Sequence, residues 1–239
     1  MLGVWSILDE GREKTGARFV AELAKHIASS GKRVLVFELC PARPALDIVF
    51  GVAERVVYTL SDVGRVPPAQ ALLSPRENLF FVPAALDLTA FATDPAALTA
   101  CIEATKPDLV LILFERTACA AARAISDGIL LLTDASEASL RAGAALTDAL
   151  SVSGVILTDL VLVKENVRAI PSPIEIADTL GVPLLGILPQ FDASETARVN
   201  DKDFLSAIRN IAARIAGEKR PLLKGISIEG MRKQTFFEG

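Results

Sequence analysis

A chain of 239 residues, 51% hydrophobic and 23% charged, has the make-up and length of a globular protein with one sizeable core, which excludes wholesale disorder and collagen-like or low-complexity architectures. The formal net charge of −4, from 25 Lys+Arg against 29 Asp+Glu, supplies no global basic field, so no nucleic-acid partner is expected. Apolar runs such as 109–114 and 128–132 fall far short of the roughly 20 residues of a membrane span, so a soluble chain is expected.

In chain order, strands are predicted at 2–8, 33–39, 78–82, 108–114, 128–133, 154–163 and 183–188, where apolar runs are bounded by turn residues. Helices are predicted between them at 15–30, 94–105, 136–150, 173–180 and 202–216. The first helix carries Phe19, Val20, Leu23 and Ile27 as a 3.6-residue stripe and stops at Gly31. Such alternation predicts an α/β fold, a doubly wound and mostly parallel sheet with helices on both faces. The Pro-rich stretches 41–44 and 66–68 are expected as surface connections, because proline fixes the backbone and removes a donor. No linker or repeat divides the chain, so one domain is expected over 1–220, followed by a tail over 221–239. Residues 1–8 lack a basic n-region and a small-residue cleavage site, so they are expected to form a buried strand rather than a signal peptide.

Three cysteines at wide spacing, Cys40, Cys101 and Cys119, fit neither a disulfide framework nor a paired zinc site, which points to a reducing cytoplasm and no bound metal. His26 lies on the first helix and is expected at its boundary with solvent rather than in catalysis.

The loop after the first strand reads Leu8-Asp9-Glu10-Gly11-Arg12-Glu13-Lys14-Thr15. In a doubly wound sheet this loop faces the ligand crevice, and the helix that follows turns its first amides toward an anion. Lys14-Thr15 opening the helix is the ending of a phosphate-binding loop, where the lysine meets phosphate charge and the hydroxyl helps hold magnesium. Alongside it stand Leu46-Asp47-Ile48-Val49-Phe50-Gly51, Glu54-Arg55-Val56-Val57-Tyr58, the stretch 133–141, the strand 160–163 running toward Asn166, and Leu185-Gly186-Ile187-Leu188-Pro189. In this order and over nearly the whole chain, these segments resemble the MinD/ParA family of deviant P-loop ATPases, which position cell-division machinery, plasmids and other cargo.

The resemblance departs where chemistry is expected. Of the family loop Gly-Lys-Gly-Gly-x-Gly-Lys-Thr only Gly11, Lys14 and Thr15 remain; Asp9 stands at the signature lysine, Leu8 at the opening glycine, and Glu10 and Glu13 at two further glycines. Side chains there cost on the order of 1–2 kcal/mol per strained position, and each carboxylate about 4 Å from a phosphate charge costs up to roughly 4 kcal/mol before screening. The family's Asp-x-Asp is replaced by Glu38-Leu39-Cys40, and Leu113 stands at its Walker B aspartate, with Glu115 two residues on. The three acids Asp9, Glu10 and Glu13 are instead expected to meet the helix dipole in place of phosphate, with Arg12 and Lys14 as counter-ions.

The resemblance therefore implies a pseudo-ATPase: a non-catalytic scaffold or localisation protein acting through partner proteins, with no required cofactor. Gly11, Lys14 and Thr15 form the relic nucleotide loop, and Asn166 takes the position that reads the base. The alternative is an ATPase with a remodelled site built on Lys14, Thr15, Glu38 and Glu115, using ATP or ADP with magnesium in cell division, partitioning or pilus positioning. A metabolic enzyme on the same fold, such as an amidoligase, is disfavoured by the match through Tyr58 and the degraded phosphate loop. With Asp9 at the signature lysine, a homodimer bridged by ATP is not expected; a constitutive dimer through another face, or a monomer, remains. Family members of the MinD type end in an amphipathic membrane helix, and Ile228, Met231, Arg232, Lys233 and Phe236 have a loosely similar make-up, diluted by Glu229 and Glu238. The expected location is cytoplasmic, with the inner face of the cell membrane as a peripheral site.

Overall fold

The computed structural model describes residues 3–9, 15–40, 45–84, 95–114, 124–152, 157–163, 171–189, 202–218 and 220. They fall into two compact units, the first holding the described residues up to 129 and the second those from 130 onward. The elements in order are β1 (Gly3–Asp9), α1 (Thr15–Ser29), β2 (Val34–Leu39), α2 (Leu46–Phe50), α3 (Pro68–Ala71), β3 (Leu73–Arg76), β4 (Leu79–Val82), α4 (Pro95–Thr105), β5 (Leu109–Phe114), β6 (Gly128–Asp134), α5 (Glu137–Val152), β7 (Asp159–Val163), α6 (Pro173–Leu180), β8 (Leu184–Leu188) and α7 (Lys202–Ile215). This is the α/β, mostly parallel architecture that the alternation of strands and helices predicts.

In the first unit the strand order is β3-β4-β2-β5-β1, all parallel except the antiparallel edge pair β3/β4. All six residues of β2 and of β5 are buried, which is why β5 reads as an unbroken apolar run and β2 as one interrupted only by Glu38. The stripe on α1 is what buries that helix: Phe19, Val20 and Leu23 are fully enclosed. The helix ends at Ser29, and in the turn that follows Gly31 has a φ of 84°, in the left-handed region that glycine enters without steric cost.

In the second unit β6, β7 and β8 pair in parallel. Close approach of α7 to β8 is made possible by Gly186, where a Cβ would run into the Ile211 side chain. The helix α6 begins as its sequence suggests: the Ser172 hydroxyl accepts the Glu175 N–H, and the Glu175 carboxylate accepts the Ser172 N–H, a capping box followed by Pro173 at the first turn.

Three differences from expectation stand out. The expected strand 154–163 is a strand from Asp159 onward, while Leu157 and Thr158 lie outside it and 153–156 are beyond the described residues. The edge strand β3 was not expected, because Pro75 cannot donate to a ladder and is tolerated only at an edge. Within the expected connection 66–68, Pro68 opens the short helix α3, where its missing N–H costs nothing. Among the described residues, no helix is long and apolar enough to cross a membrane.

Candidate functional site

The carboxyl ends of β1, β5 and β2 lie side by side in the first unit. Ile7 pairs with Leu113, and Leu113 with Glu38; one step on, Leu8 pairs with Phe114 and Phe114 with Leu39. In sheets of this type that edge is where ligands bind, and it brings Asp9, the start of α1, Glu38 and Leu113 to one edge of the first unit.

Asp9 is the last residue of β1, and its Oδ2 accepts the N–H of Gly16, the second residue of α1, at 2.8 Å. The first four N–H groups of a helix have no partner within it, and their positive end attracts an anion. Here the anion is the chain's own carboxylate. Gly16 makes this fit possible: any Cβ there would fall on the Asp9 carboxylate. Thr15, the helix-opening residue, is half-buried beside it.

Glu38 is 1% exposed, and its Oε1 accepts the N–H of Ala45 at 2.8 Å and of Leu46 at 3.1 Å. Both donors open α2, so the carboxylate at the end of β2 caps the helix that follows. Its register neighbour Leu113 is 3% exposed, an apolar side chain enclosed at the end of β5. Cys40, next along from β2, is buried as well. Burial pushes the Cys101 thiol up to about 11, so it is protonated and inert at neutral pH.

Of the residues that sequence singles out, Thr15, Glu38, Asp9 and Leu113 are among those described, and all four lie at this edge. Gly11, Lys14, Asn166, Glu115, Cys119 and the tail residues Ile228, Met231, Arg232, Lys233 and Phe236 lie outside the described residues. His26 sits half-buried on α1, at the boundary expected for it. Sequence reasoning missed Gly16; the signal available was a glycine in the first turn of an otherwise strong helix, where it costs stability unless something needs the space. Among the described residues, no cluster of three or more His, Cys, Asp or Glu side chains is placed to hold a metal ion.

No protein-family model matches the chain. It is 30% identical over 102 residues to the septum site-determining protein MinD of Thermotoga maritima, a match covering 41% of this chain and 38% of that protein. Among solved structures it is similar to MinD in the MinC:MinD cell division complex of Aquifex aeolicus, with a TM-score of 0.79, 22% identity, and 92% of this chain and 98% of that chain covered. It is also similar to MinD of Pyrococcus horikoshii complexed with Mg-ADP, with a TM-score of 0.63, 20% identity and 91% and 90% covered. A ParA family ATPase from Chlorobium tepidum superimposes with a TM-score of 0.68 at 15% identity, over 89% and 97% of the two chains.

Proposed function

Because the chain has the fold of the MinD and ParA ATPases and resembles that family in sequence, we propose that it is a pseudo-ATPase member serving as a scaffold or localisation protein in cell division or partitioning. The observation that carries this reading is the hydrogen bond from Gly16 to Asp9: the helix terminus that would meet a phosphate is met by an internal carboxylate. Two further observations support it. Glu38, at the family's magnesium and water-positioning segment, is enclosed, and its Oε1 is taken up by the start of α2. Leu113, at the Walker B position, has no group that can hold a cation.

Nucleotide with magnesium does not fit these residues as they are arranged. A phosphate reaching the first amides of α1 would displace Asp9 or lie against it, and two like charges about 4 Å apart cost roughly 4 kcal/mol at an effective dielectric near 20. The protein then acts through its surface, recruiting protein partners and pairing, where it pairs, without ATP as the bridge. MinD of Aquifex aeolicus is found in complex with MinC, and a protein partner of this chain's own is what the reading requires. Peripheral attachment to the inner face of the membrane through 221–239 is part of the proposal, as is the division into a single domain over 1–220 and that tail.

The alternative, an ATPase with a remodelled site on Lys14, Thr15, Glu38 and Glu115, is favoured by Thr15 opening α1 as a phosphate-loop threonine does. Magnesium-dependent ATP hydrolysis by the purified protein and by Lys14→Ala separates the two. The scaffold reading expects the same background rate from both; turnover that the substitution abolishes establishes the remodelled enzyme.

A further inference from the structure

In the second unit a cavity of about 500 Å³ opens where β7 and β8 begin and where α6 and α7 end. Asp159 is the first residue of β7 and Leu184 the first of β8; Ile174, Ala177 and Asp178 come from α6, and Arg214 from the last turn of α7. The cavity therefore lies at the amino ends of its strands, whereas the ligand crevice of such sheets lies at the carboxyl ends. Its volume is that of a small-ligand or side-chain pocket.

The charges around it are unbalanced. Two carboxylates, Asp159 and Asp178, line it together with one guanidinium, that of Arg214, and the carboxyl end of α6 adds its negative dipole. Arg214 is held in place by main-chain carbonyls: Nη1 donates to Arg220 O at 2.9 Å and Nη2 to Leu184 O at 3.3 Å. Its Nε–H is buried and has no hydrogen-bond partner among the described residues. Ile174, Ala177 and Leu184 supply an apolar wall.

We propose that this cavity receives a basic side chain, lysine or arginine, from a protein partner. The ammonium or guanidinium meets Asp159 and Asp178, and the methylene stem lies along the apolar wall. An anionic occupant would face two carboxylates. A wholly apolar one would bury them further with no compensation. The inference gives the scaffold reading a partner-recognition site and rests on that reading for its purpose; binding of the probe and ATP hydrolysis are separate measurements, so either can fail alone.

The test is an amide-resolved NMR titration of the full chain with N-acetylarginine amide, N-acetylnorleucine amide and N-acetylglutamate amide, repeated on Asp159→Asn and Asp178→Asn. The expected result is saturable shifts at Asp159, Ala177, Asp178, Gly181 and Leu184 with the arginine probe alone, weakened about tenfold by either substitution. Asp178 is exposed, so its substitution keeps the fold and isolates the charge. No saturable shift at tens of millimolar probe, equal response to the neutral or acidic probe, or unchanged affinity in Asp178→Asn would overturn the proposal.

Discussion

At the scale of single residues, the defining contact is Asp9 to Gly16. Alanine for glycine inside a helix ordinarily gains up to about 1 kcal/mol, but here the new methyl meets a carboxylate. Gly16→Ala is expected to destabilise the protein by about 1–3 kcal/mol in urea unfolding, and to become neutral or stabilising when Asp9→Ala is also present. Equal gains in both backgrounds would mean that Asp9 does not occupy the start of α1. A second residue-scale expectation concerns Asp159, whose pKa is raised by burial, against smaller lowering by the Thr158 hydrogen bond and by Arg214. A carboxyl whose folded pKa exceeds its unfolded value favours the folded state while protonated, and that contribution is lost as pH rises through the folded value. The stability of the native protein relative to Asp159→Asn should therefore fall as pH rises through and above the ordinary carboxylate range. A flat difference would place the Asp159 carboxylate in water.

At the scale of elements, the carboxylate of Glu38 links β2 to α2 through two buried donors. Glu38→Ala leaves both N–H groups without that acceptor and is expected to cost about 2–4 kcal/mol, read from the midpoint of denaturation. Ser172→Ala, which removes half of the capping box on α6, should cost only about 1 kcal/mol. Elements of this kind were largely legible in the sequence. The strand β5 announces itself as a continuous apolar run, β2 as one broken only by Glu38, α1 by its stripe, and α6 by Ser172, Pro173 and Glu175 in order. The edge strand β3 was not legible, because Leu73-Ser74-Pro75-Arg76 owes its conformation to pairing with β4 rather than to its own pattern. The site was legible in part. Asp9 could be placed at a helix start from its position alone, but the partner amides of Glu38 belong to residues 45 and 46, and only the path of the chain after β2 brings them to it. Gly16 carries no functional group, so its role appears only once the Asp9 carboxylate is seen beside it.

At the scale of the whole molecule, the chain keeps the MinD/ParA fold over 92% of its length at 22% identity, and the proposed function holds that this fold is retained without its nucleotide chemistry. Fold and chemistry are separable, since the sheet is maintained by apolar packing and the reaction by a few groups at its edge. A consequence concerns assembly. The proposal sets Asp9 at the position of the family's cross-dimer lysine, so adding ATP should leave the mass measured by light scattering after size exclusion unchanged; a doubling that requires ATP would contradict the proposed loss of the nucleotide bridge.

The most direct measurement is calorimetric titration of the purified protein with ATP and ADP, with and without magnesium, alongside Lys14→Ala. The account predicts no binding heat at millimolar nucleotide in any of these, because the amide that would meet a phosphate is already held by Asp9. Saturable, magnesium-dependent binding that Lys14→Ala abolishes would contradict it, and would show that the loop still cradles phosphate.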